Sequence, residues 1–256
     1  MTINEKELEN IVKAIVKAVG FDIQTYLNES NTDTHNAIIH LRTDYINTNI
    51  RNMVIPEYDY LELKHFKRFS WMGCFIIDRK SKATINISSR NTIARIKAKK
   101  TRNRPHYLSS LCYTLNKDFI SPCKQISFDG FEPSDDFSEE EYLDDFESIV
   151  DMAFDPNDGY HHYVVAYETE KFEIKSISLL LLDKDLDTVE EISLMDMLQP
   201  DFGTLTSAIS VEDTESKVKD SHALVKIKPG IKSKNSTEPE KKSEIYTKEE
   251  EAAKRA

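Results

Sequence analysis

Two apolar stretches, Tyr160 to Thr169 and Phe172 to Asp183, constrain this chain more than any other feature. Both have strand character, and they read as a pair. Val164, Ala166, Ile174 and Ile177 mark their apolar positions, and Leu179-Leu180-Leu181-Leu182 then runs without a polar interruption. Runs of this kind belong to strands buried on both faces at the centre of a sheet.

Elements before this pair are read from periodicity and end signals. Leu8, Ile11, Val12, Ile15, Val16 and Val19 recur at helical spacing; Asn4 with Glu7 reads as a capping box and Gly20 as the C-terminal stop. A second helix is expected over residues 34 to 53, with Ile38, Ile39, Tyr45, Ile46, Ile50 and Met53 on its apolar side. Trp71 to Ile77 and Ala83 to Ile87 form a hairpin across residues 78 to 82. A third helix is expected from Pro105 to Asn116. A fourth starts at Ser138, where Glu141 completes a capping box and Phe137 with Tyr142 forms a hydrophobic staple. It ends in the turn Asp155-Pro156-Asn157-Asp158-Gly159. Residues 188 to 198 read as a strand or a short helix. The fold class expected is α+β, with N-terminal helices and two β-hairpins in an antiparallel or mixed sheet covered by helices on one face.

Residues 1 to 210 are read as one globular domain and residues 211 to 256 as a disordered tail. From Glu212 to Ala256 there are 11 Lys/Arg and 10 Asp/Glu with sparse apolar residues, too few to offset ordering entropy. Cys74, Cys112 and Cys123 are odd in number and widely spaced, so reduced, mostly buried thiols are expected. No signal peptide or membrane-length apolar run occurs, which points to the cytoplasm. Lys outnumbers Arg 25 to 9, a bias typical of AT-rich genomes such as those of low-GC bacteria and their phages.

Charge is segregated along the chain. Residues 1 to 124 carry 20 basic and 12 acidic side chains, whereas residues 125 to 170 carry 15 acidic and none basic. Arg90, Arg95, Lys97, Lys99, Lys100, Arg102 and Arg104 form a dense basic cluster able to neutralise several phosphates. A net charge of −11 and the lack of interleaved aromatics weigh against nucleic acid as the main partner. Glu139, Glu140, Asp144 and Asp145 are the candidate protein-partner residues of the acidic helix. Such a single-sign block either steers a basic partner or pairs with the basic half of the same chain.

Glu173-Ile174-Lys175 on a strand, with Asp155 and Asp158 upstream, matches the acid–x–Lys pattern of metal-dependent nucleases. The same pattern recurs at Glu62, Asp78, Glu215 and Glu240, close to chance for so charged a chain. The turn at Asp155 lacks calcium-loop spacing. His161 and His162 point to opposite faces of a strand. No metal site or cofactor is expected, and no catalytic residue is assigned.

The string Phe66-Lys67-Arg68-Phe69-Ser70-Trp71-Met72-Gly73, with His106-Tyr107-Leu108 and Asn116, resembles an uncharacterised family of bacterial and phage proteins over residues 60 to 120. Some members lie in toxin–antitoxin or phage-defence neighbourhoods. Trp71 reads as a core anchor, and His106 and Asn116 as helix caps. The expected function is a non-enzymatic interaction protein of a bacterial mobile element or phage, with a protein partner. The alternatives are a nuclease or other nucleic-acid-acting enzyme, with nucleic acid bound through residues 90 to 104, and an acidic DNA-mimic inhibitor.

Overall fold

The computed structural model describes residues 3–34, 36–99, 103–122 and 137–198. All lie in the first of two units, Met1–Asp201; the second, Phe202–Ala256, and with it the expected tail, is outside the described residues. Helix α1 (Glu5–Lys17) begins at Asn4, whose side chain accepts from the Lys6 N–H at 3.0 Å. The expected capping box between Asn4 and Glu7 is not made. Glu7 turns inward and accepts from the Tyr60 hydroxyl, and burial raises its carboxyl above the usual range. Gly20 does not stop the helix. Ala18, Val19 and Ile23 are all fully buried, and the chain passes through a π-helical turn, Ala18–Asp22, straight into α2 (Ile23–Glu29). Helix α3 (Ile38–Asn49) also ends in a π-helical turn, Ile50–Val54. Ile46, Ile50 and Val54 are its buried side; Ile39 faces solvent.

Six strands follow in the spatial order β1-β2-β3-β4-β5-β6: β1 (Leu61–Arg68), β2 (Trp71–Asp78), β3 (Ala83–Ser89), β4 (His161–Glu170), β5 (Glu173–Leu182) and β6 (Thr188–Ser193). All neighbours are antiparallel except β3 and β4, which run parallel. Parallel neighbours need a long crossover. Here it carries α4 (Arg90–Ala98), α5 (Tyr107–Leu115) and α6 (Glu139–Val150). The sheet is therefore mixed and the fold α+β. Residues 188 to 198 form β6 and then a short 3-10 turn, Met195–Met197.

Helices cover both faces of the sheet rather than one. Leu8, Ile15, Ile46 and Ile50 pack with Ile76, Val165 and Leu179 in one apolar cluster. Ile93, Leu108, Leu111 and Phe146 pack with Ile77, Val164 and Leu180 in the other. Consecutive strand residues point to opposite faces, so Leu179 and Leu180 each need their own cover. Each such side chain contributes about 1.5–3 kcal/mol when fully buried.

Local chemistry sets the helix ends of the crossover. His106 caps α5, its Nδ1 accepting from the Leu108 N–H at 3.2 Å. Ser138 and Glu141 form the capping box of α6, and Phe137 meets Tyr142 edge-on at 5.9 Å. Cys74 and Cys112 are free, with burial pushing the Cys74 thiol up to about 11; Cys123 lies outside the described residues.

Candidate interaction surface at the β1–β2 turn

Strands β1 and β2 are joined by a two-residue turn, Phe69-Ser70, at one end of the edge hairpin. Phe69 has φ 54°, a region that favours Gly, Asn or Asp and that bulky residues enter only at a cost. The residue is 83% exposed, with Met72 62% and Trp71 40% exposed next to it in β2. Trp71 is thus not the core anchor expected. It stacks on Tyr107 of α5 at 5.4 Å and 27°, and meets Phe66 edge-on at 5.7 Å.

Gly73 makes this arrangement possible. A Cβ there would fall 2.5 Å from Phe66 Cζ and 2.6 Å from Trp71 Cη2. The glycine lets both rings lie across the strand. The turn is anchored from below by Arg68, which donates to Pro105 O at 2.8 Å and pairs with Asp145. Arg104 lies over the Phe69 ring, 4.7 Å from its centroid. Lys67 is exposed on the opposite face of β1, in register with Met72. Phe69 thus stands at the hairpin tip beside the buried Phe66, Gly73 and Tyr107, with Trp71 on one face of the strands and Lys67 and Met72 on the other.

A family model described as a family of unknown function, DUF5986, matches residues 1–247. The chain belongs to that family. No match was found among curated proteins or among solved structures.

The five described members of the expected basic cluster are not one patch. Arg90 donates to Ser178 Oγ at 2.9 Å and pairs with Glu191; Lys97 pairs with Asp187. Arg95 and Lys99 are exposed. Arg104 belongs to the β1–β2 turn. Lys100 and Arg102 lie outside the described residues. The basic segment includes α4, whose Ile93 and Ile96 are buried in the core.

The acidic helix divides likewise. Glu139, Glu140 and Asp144 are exposed. Asp145 turns inward, where it pairs with Arg68 and accepts from the Ser110 hydroxyl; the two paired side chains are 9% and 12% exposed. Burial pulls the Arg68 guanidinium pKa down, and Asp145 opposes that shift. Asp151 pairs with Lys64 at 3.2 Å. The acidic and basic halves therefore meet along β1, away from Arg90 and Lys97, and again where Lys82 pairs with Asp158.

The nuclease constellation does not assemble. Asp155 accepts from the Asn157 N–H at 2.8 Å, and Asp158 pairs with Lys82 at 3.5 Å, both just before β4 begins. Glu173 lies opposite Glu170 at the other end of β4, and a strand of ten residues spans roughly 30 Å. Lys175 faces Glu168 at 3.7 Å. Among the described residues no group of three or more His, Cys, Asp or Glu side chains could hold a metal. A cavity lined by Asn47, Ile50, Leu63, Cys74 and Ile85 measures about 10 Å³, near the lower limit for one water. No helix among the described residues is long and apolar enough to cross a membrane.

The reading from sequence missed Lys67, Phe69 and Met72 as surface residues. The available signal was an aromatic residue in a hairpin turn that ordinarily takes Asn, Asp or Gly.

Proposed function

We propose that this chain is a non-enzymatic interaction protein whose working surface is the β1–β2 turn. The observation that carries the reading is Phe69, strained at φ 54° and 83% exposed, beside the exposed Trp71 and Met72. Strain is retained where surrounding structure holds it for a purpose, and clustered exposed apolar side chains mark contact sites, whereas single ones do not. The stacking of Trp71 on Tyr107 and the Arg68 anchor supply preorganisation, which lowers the entropy cost of binding. A setting in a bacterial or phage toxin–antitoxin or defence system is supported by the resemblance over residues 60 to 120, and an adjacent small helix-turn-helix gene would strengthen it.

Placing a photo-crosslinking amino acid at position 69 tests the surface in cells that make the chain. Position 120, another exposed apolar site, serves as the control. A defined adduct at position 69, absent at position 120, is the expected result. Equal labelling at both, or none at position 69, would overturn the reading.

A further inference from the structure

The observations also bear on what the turn binds. Lys64, Arg68, Arg79 and Lys82 of the β1–β3 region each face a carboxylate. Arg104, over the Phe69 ring, and Lys67, on the opposite face of β1 from Trp71, pair with no carboxylate among the described residues. Asp145, the acidic residue nearest the turn's base, is held by Arg68 and Ser110. Lys67 and Arg104 are thus two cations near the hairpin tip that no described carboxylate holds, although the whole chain carries −11.

Resting on the reading of the turn as a working surface, we propose that its ligand is single-stranded nucleic acid. Bases stack on the exposed faces of Phe69 and Trp71, while Lys67 and Arg104 hold the flanking phosphates. Aromatic platforms beside cations bind unpaired bases with little regard to sequence, because every base presents a π-face. Arg104 already covers one face of Phe69, so the other face is the one offered. Trp71 uses one face on Tyr107, meets Phe66 edge-on and is 40% exposed over the rest. In a duplex the base faces are hidden within the stack, so a duplex gains only the phosphate contacts. An acidic polypeptide meets the cations but brings no bases to the rings.

Trp71 is the only tryptophan in the chain, so its emission reports on this site alone. Titrating the full chain at low salt with a short oligothymidylate should quench Trp71 saturably. Two neutralised phosphates predict a slope of about −1.4 in log affinity against log salt. Phe69→Ala should weaken binding about tenfold, in the range found for one base–aromatic stack, and Lys67→Gln with Arg104→Gln should flatten the salt slope. All three positions are exposed, and an unchanged melting midpoint confirms that each variant is folded. No quenching by oligothymidylate or an unstructured RNA, equal quenching by a blunt duplex, or equal quenching by polyglutamate would each overturn the proposal. If those probes fail while position 69 still forms a protein adduct in cells, this inference falls and the proposed function stands. If both fail, both fall.

Discussion

The side-chain amide of Asn116 brackets the backbone of His162, with Oδ1 accepting from its N–H at 2.8 Å and Nδ2 donating to its carbonyl at 2.8 Å. The same Nδ2 reaches Leu182 O at 2.7 Å. Asn116 thus ends α5 and completes the hydrogen bonding of β4 and β5 where the two strands part. It acts as a one-residue piece of sheet.

Asn116→Ala should cost about 2–4 kcal/mol, because it removes three hydrogen bonds from buried backbone groups of β4 and β5. Asn116→Asp should be no better, since it sets an acceptor against two carbonyls. Chemical denaturation checks both. A loss under about 0.5 kcal/mol for the alanine variant would contradict this account of the junction.

Asp145→Ala should cost about 3 kcal/mol, because Arg68 stays buried without its counter-charge. Reversing Glu139, Glu140 and Asp144 to Lys should change stability little, since these side chains are exposed. Thermal melts of the two variants separate a structural carboxylate from surface ones. Equal effects would mean that Asp145 does not hold the hairpin.

Gly73→Ala should push Trp71 off Tyr107, since its Cβ would overlap both the Phe66 and Trp71 rings. A red-shifted tryptophan emission and a loss of about 1 kcal/mol are expected. An unchanged spectrum would show that the stack does not depend on glycine.

Burial lowers the His162 imidazole to about 3, whereas an unfolded histidine titrates near 6.5. Between those values the unfolded chain binds a proton that the folded chain does not. Stability therefore falls as pH drops below about 6.5, by about 1.4 kcal/mol per pH unit from this group, and is unaffected by it above. His162→Gln, which keeps a partner for Thr84, removes that slope. The stability gap between wild type and variant should narrow from neutral pH to about 4. Parallel curves would contradict a buried, neutral imidazole.

Legibility in the sequence followed the reach of each interaction. The capping box and staple of α6 were readable because Ser138, Glu141, Phe137 and Tyr142 act within one turn. So were the caps His106 and Asn116 of α5. Strand β1 was not readable, because Lys64, His65, Lys67 and Arg68 hide the alternation that Leu61 and Leu63 begin. The four-leucine run of β5 already required cover on both faces, and the expectation of helices on one face did not follow it through. Gly20 looked like a stop only because the burial of Ile23 beyond it was not visible.

The site was legible in part. The string Phe66 to Gly73 stood out, yet its cation and its stacking partner come from Arg104 and Tyr107, more than thirty residues later. The basic density at residues 90 to 104 was plain, but the pairing of Arg90 with Glu191 and of Lys97 with Asp187 depends on how the chain around β6 docks. Spacing along a chain carries no record of such partners.

The most direct measurement of the central claim takes two readings on one variant, Phe69→Asn. Asparagine tolerates the left-handed backbone that phenylalanine enters at a cost, and the exposed ring contributes little burial. The melting midpoint should therefore stay the same or rise. Binding at the β1–β2 turn should fall about tenfold, as for loss of one aromatic stack. Binding equal to wild type, or a variant that loses stability along with binding, would contradict the claim that Phe69 is held in strain for the sake of a partner.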